Sequence, residues 1–249
     1  MKTKSILIAI FTLSILFTSC KKNDDINPTH EDIFPSANVT IVNKTISGYS
    51  QLNVSDRFKV FITFSDTEEK IQIEANENLQ QYITCKKQDN QLVICFTDNI
   101  NIKADNAVLN VYITTKQLNA FYSSGAIAIQ LQNELVCSNL TVDLTGTSSL
   151  IGTVNVDQFT ANLDGISKLN IEGSSNSFDF AAKGVSNMAG YEFETNYFTS
   201  DLQGICSVHL TVQQKLEVKA KGACNVYYKG DGLVSYQNLS GGAKIQKMD

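Results

Sequence analysis

The chain has 249 residues, a formal net charge of −5, no Trp and two Pro. That charge leaves no basic footprint for nucleic acid, and a hydrophobic share of 43% is too high for a disordered chain. Low Ala and Glu content with many β-branched residues excludes an all-helical protein, and the polarity is mostly neutral, from 22 Ser, 20 Thr and 23 Asn against 18% charged residues.

Residues 1–19 read as a leader. Lys2 and Lys4 precede an apolar run from Ile6 to Phe17, which is too short to span a bilayer comfortably. Leu16-Phe17-Thr18-Ser19-Cys20 resembles the lipobox of a bacterial lipoprotein signal, in which the cysteine becomes the lipidated first residue. Cys20 is the candidate lipidation site, and its acyl chains, palmitate among them, would anchor the domain at about 0.8 kcal/mol per buried CH₂. Loss of the leader removes two Lys and takes the net charge from −5 to −7. Residues 20–37 hold both prolines and no apolar period, and read as a flexible tether. Lys21-Lys22-Asn23-Asp24-Asp25 resembles the export signal of Bacteroidetes surface lipoproteins, which implies outer-membrane attachment with display at the cell surface, the periplasmic face being the alternative.

Residues 38–249 form the folded body. Its first part, 38–120, is irregular and β-rich: 39–42, 58–64, 70–75, 82–85, 92–96 and 108–114 read as strands. It is expected to start the sheet system and cover one end of the regular coils. Asp89-Asn90 signals a hairpin between Cys85 and Cys95. A bulged turn would permit a disulfide there and a two-residue turn would not.

From residue 121 onward a repeat dominates. Gly-x-(small)-x-(aliphatic) occurs at Gly125, Gly146, Gly165, Gly184, Gly204, Gly222 and Gly241, at intervals of 18 to 21 residues. A near-constant period of this length marks a solenoid with one coil per repeat. Four residues after each glycine stand Ile129, Leu150, Leu169, Met188, Val208, Val226 and Ile245; two after it the residues are mostly small. Apolar residues also recur two and six positions before the glycine, among them Leu144, Leu163, Phe159, Phe178 and Phe198. All these offsets are even, so each coil carries strands with one face buried. The expected fold is all-β: a parallel β-solenoid of about seven coils. Cys206 and Cys224 fall in one inward column and read as reduced, buried small residues.

The stretch EKIQIEANENLQQYITCKKQDNQLVICF, then LNVYITTKQLNAFYSSGAIAIQ and the later GISKLNI and GVSNM, resembles the auto-transporter adhesin family with a head GIN domain, over roughly residues 45–230. The family's early Gly-Ile-Asn-like segment is represented here by Asp56-Arg57-Phe58-Lys59-Val60, without the glycine. The resemblance implies right-handed coils, which crossover chirality also favours, and an adhesive role without catalytic residues.

Sites of chemistry are few. His30 and His209 are the two histidines, and no Cys-x-x-Cys, phosphate loop or nucleophile elbow is present. No cofactor or metal site is expected. A polysaccharide-degrading enzyme would need carboxylates about 5–10 Å apart. The acids near the glycines, Asp143, Asp164 and Asp201, do not stack on neighbouring coils, which leaves loop acids such as Glu192 and Glu194. Three readings are open: a non-catalytic surface lipoprotein that binds a glycan or an envelope or host protein, a carbohydrate-active enzyme, and a structural component that self-associates into a homo-oligomer.

Overall fold

The structure is a computed structural model that describes residues 31–97, 100–103 and 106–249. The leader, Cys20, His30 and the tether as far as residue 30 lie outside the described residues. Within the remainder of the stretch read as tether, Glu31–Ile33 pairs in parallel with Ile100–Ile102, and the Ser36 N–H donates to Asn78 Oδ1 at 2.8 Å.

The repeat is a parallel β-solenoid. Gly125 pairs laterally with Gly146, Gly146 with Gly165, Gly184 with Gly204, Gly204 with Gly222 and Gly222 with Gly241. Along the bend an unbroken hydrogen-bond line joins the coils, as when the Ile166 N–H donates to Gly146 O at 2.7 Å and the Val185 N–H to Gly165 O at 2.7 Å. All seven glycines take φ between +75° and +114°. A Cβ at Gly165 would stand 2.6 Å from the Gly146 carbonyl oxygen. Both the left-handed backbone and the close stacking therefore require glycine.

The inward columns are as the spacing predicts. Ile129, Leu150, Leu169, Met188, Val208 and Val226 stack in register and are buried, and Ile245 closes the column. Phe159, Phe178 and Phe198 stack six residues before the bend, with Phe159 and Phe178 ring centroids 4.6 Å apart. Phe193 meets Phe159 and Phe178 edge-on from a neighbouring wall. Burying each such side chain contributes about 1.5–3 kcal/mol.

The small column two after the glycine has a second cause besides size. Ser148, Ser167 and Ser186 each donate a hydroxyl to the carbonyl three residues back, at 2.9, 2.8 and 3.0 Å. Cys206 and Cys224 make the same contact through sulfur at 3.6 and 3.5 Å. The side chain thus satisfies a carbonyl at the tight bend where the ladder turns.

The first part supplies one further coil and a cover. Gln51–Asp56 and Lys59–Phe64 stack on Ala120–Gly125 and Ala128–Leu131, so that Asp56 occupies the glycine position with φ +77°. Its carboxylate accepts the Phe96 N–H at 2.8 Å. The next layer outward is later in sequence: Gln91–Phe96 and Leu109–Thr115 stack in parallel on this coil. Lys70–Asn76 then pairs antiparallel with Leu109–Thr115 and with Val39–Lys44, ending the parallel stack at this end. Ile83–Gln88 and Gln91–Phe96 form a hairpin with a two-residue turn, placing Cys85 opposite Ile94 and Cys95 opposite Thr84. Cys85 and Cys95 therefore point to opposite faces, and Cys85 is a free thiol.

Candidate functional site

In-register parallel stacking turns each outward position into a column that runs along the solenoid. Five residues before the bend, Thr160, Asp179, Thr199, Glu217 and Tyr236 are lateral neighbours on successive coils. Three before the bend, Tyr122, Asp143, Asn162, Ala181, Asp201, Lys219 and Asn238 form the adjacent column. Both columns project from the same sheet, because their offset is two residues.

Where these columns cross the C-terminal coils the sheet is dented. A concavity of about 420 Å³ is lined by both columns from Thr160 to Tyr236 and by Lys219. Ala181 explains the dent: it is the shortest side chain in its column, between Asn162 and Asp201. Asp179, Thr199, Asp201 and Tyr236 are exposed around it.

The acids singled out from the sequence behave differently from one another. Asp143 is half-buried and accepts from Asn162 Nδ2 at 2.6 Å; burial pushes its carboxyl above the ordinary value, against the effect of that bond. Burial, and then the charge of Asp143, raises the neighbouring Tyr122 phenol. Asp164 turns back on its own bend, where Oδ1 accepts the Gly165 N–H at 2.8 Å. Asp201 reaches the concavity and faces Lys219 across the ladder. Glu192 and Glu194 do not line it. Asp179, Glu217 and Tyr236, which do, were not among the residues predicted. Their shared offset of five before the glycine was a signal in the sequence, available from the same alignment of coils.

Asp179 and Asp201 sit on neighbouring coils two residues apart in register, so their Cα atoms are separated by about 8 Å from strand geometry. Two carboxylates at such spacing suit a glycosidase on distance alone. Both are open to water, however, and a general acid needs surroundings that hold its proton. Among the described residues no group of three His, Cys, Asp or Glu is placed to hold a metal ion.

Two other surface features are regular. His209 stacks on Tyr227 at 4.9 Å and meets Tyr191 edge-on at 5.4 Å, and Lys229 Nζ lies 5.3 Å from the Tyr191 ring centroid. These rings cover one another, as cross-strand pairs that stabilise a sheet do. Beside the bend, Ile166, Val185 and Ile205 form a short apolar ridge, 54%, 50% and 60% exposed.

Residues 48–232 match the family described as "Putative auto-transporter adhesin, head GIN domain". Among solved structures, a "putative adhesin" from Bacteroides fragilis NCTC 9343 is similar with a TM-score of 0.79 at 18% identity, covering 87% of this chain and 100% of that one. A "Putative lipid binding protein" from Parabacteroides distasonis ATCC 8503 gives 0.70 at 13% identity, over 88% and 100% of the two chains. A "putative adhesin" from Parabacteroides merdae ATCC 43184 gives 0.63 at 15% identity, over 88% and 100%. At these identities the likeness is one of fold. No curated protein matches the chain.

Proposed function

The chain belongs to the auto-transporter adhesin, head GIN domain family, and from that premise we propose that it is a lipid-anchored envelope protein whose solenoid binds a surface ligand without catalysis. The observation that supports this most is the outward face itself. A rigid parallel sheet presents polar and charged side chains in fixed columns, and its concavity is open, with Asp179 and Asp201 exposed to water. Such a face orients a ligand well and shields a reaction poorly. Cys20 supplies the anchor in this reading, and residues 21–30 the reach above the outer membrane.

The anchor is tested by Cys20→Ala, expected to release the protein from the membrane fraction, and by globomycin, expected to retain the leader. Membrane association unchanged under both removes the anchor. Binding is tested by comparing cells with and without the full-length protein for retention on immobilised glycans and matrix proteins; equal retention removes the adhesive role. A second reading, glycan cleavage, has the Asp179 and Asp201 spacing in its favour. New reducing ends on incubation with polysaccharide, lost in Asp179→Asn, would establish it.

A further inference from the structure

We propose that the concavity over Ala181 is a subsite for an uncharged, hydroxyl-rich glycan; this rests on the binding role given above and names its ligand class. The lining is amphipathic in the way a sugar ring is. Asp179 and Asp201 offer acceptors, and the Thr160 and Thr199 hydroxyls and the Asn162 amide add donors and acceptors, whereas Ala181 and the Tyr236 ring, 45% exposed, add apolar surface. A carboxylate accepts two hydroxyl bonds at once, which are stronger than bonds between neutral groups. The tyrosine ring can meet the C–H face of a pyranose while its hydroxyl stays in water.

The same lining disfavours other occupants. Asp179 and Asp201 repel phosphate and sulfate, against the amine of Lys219, while Glu217 is paired with Lys215 at 2.6 Å. A peptide adding to a sheet needs a free strand edge; the strands that carry Asp179, Ala181, Asp201 and Lys219 are paired on both sides, and only the last strand of the lining, Leu233–Gly241 with Tyr236, is paired on one side alone. A protein partner anchored by an aromatic or aliphatic side chain needs a desolvated pocket, which an open dent does not supply. A volume of about 420 Å³ lies within the range of small-ligand sites. Because the lining comes from successive coils, an extended oligosaccharide would run along the solenoid rather than around it.

The test is calorimetric titration of the purified full-length protein with cellohexaose, xylohexaose, mannohexaose and N-acetylchitohexaose, with a heparin hexasaccharide and octalysine as charged probes. At least one neutral oligosaccharide is expected to bind. Ala181→Tyr, which fills the dent from an outward position, should weaken that binding about tenfold or more with the melting temperature unchanged; Asp201→Asn should weaken it by a similar factor through loss of a charged acceptor. No binding by any neutral oligosaccharide overturns the assignment, as does binding that survives Ala181→Tyr. Octalysine binding that Ala181→Tyr abolishes, without glycan binding, assigns the dent to a cationic partner and also overturns it. Surface retention that persists in Ala181→Tyr after glycan binding is lost removes this subsite as the adhesive contact and leaves adhesion to another face.

Discussion

Gly165→Ala isolates the restraint that sets the coil. The backbone there has φ +82°, and an added Cβ would meet the Gly146 carbonyl oxygen at 2.6 Å. An L-residue in the left-handed region costs about 1–2 kcal/mol. The oxygen it meets accepts the Ile166 N–H at 2.7 Å and lies 3.4 Å from the Ser167 hydroxyl. Relief of the contact therefore stretches the bend ladder, at about 1 kcal/mol per bond weakened. The combined loss is about 2–4 kcal/mol, which lowers the melting temperature by roughly 5–15 °C for a domain of this size. Lys168, three residues on, is outward and exposed, and Lys168→Ala should stay within about 0.5 kcal/mol of the parent. Thermal melts followed by far-ultraviolet circular dichroism measure both. If Gly165→Ala melts within about 1 °C of the parent, or no lower than Lys168→Ala, the stacking argument for the glycine column is wrong.

Asp56→Ala should destabilise more than Asp56→Gly in urea titrations, because alanine keeps the strained φ of +77° and loses the bond to the Phe96 N–H, whereas glycine loses only the bond. Phe178→Ala empties the centre of the aromatic stack and should cost about 3–5 kcal/mol in the same assay. For Asp143, burial raises the folded-state carboxyl above its ordinary 3.8. The folded state then binds that proton more tightly than the unfolded state, so ionisation opposes folding above the raised value and the opposition vanishes below 3.8. Asp143→Asn should therefore melt higher than the parent at pH 7, and the gap should close as the pH falls toward 3.8; a gap that widens on acidification would refute the sign. Burial and the nearby Cys224 push the Cys206 thiol up to about 11, which leaves about 0.1% thiolate at pH 8. Iodoacetamide at that pH should leave Cys206 unmodified in the native protein and alkylate it in urea, as read by peptide mass spectrometry.

The columns were legible because one residue type marks the bend. Glycine at a steady interval fixes the register, and from it the burial of Leu169, Met188 and Val208 follows by counting. The first coil was harder to see because Asp56, and not glycine, takes the left-handed position, and its carboxylate is held by the N–H of Phe96, 40 residues on. The order of layers at that end was not legible at all. Gln91–Phe96 stacks outside Gln51–Asp56 although it follows it in the chain, and pairings of that kind depend on long-range closure rather than on local pattern. The concavity was half legible. Asp201 was singled out through its column, but a dent depends on the absent bulk of Ala181 as much as on the acids around it.

In-register stacking also accounts for the low charge. Lateral neighbours lie about 4.8 Å apart, and like charges directly opposite one another destabilise a sheet. Among the described residues no Asp or Glu pairs laterally with another acid, and no Lys with another Lys. The acids of the outward face obey this: Asp179 and Glu217 are separated by Thr199, and Asp201 faces Lys219. Neutral polar residues fill the remaining positions, and so the chain is rich in Ser, Thr and Asn. Thr199→Asp would place a third carboxylate between Asp179 and Glu217. It should destabilise the coil by about 0.5–2 kcal/mol in dilute buffer, from two like-charge contacts. The loss should shrink at 1 M salt, where the screening length falls to about 3 Å. Thr199→Lys at the same position should not destabilise, since it meets an acid on each side. Equal losses for the two substitutions, or a loss indifferent to salt, would show that steric fit at Thr199, and not charge spacing, limits what the columns can hold.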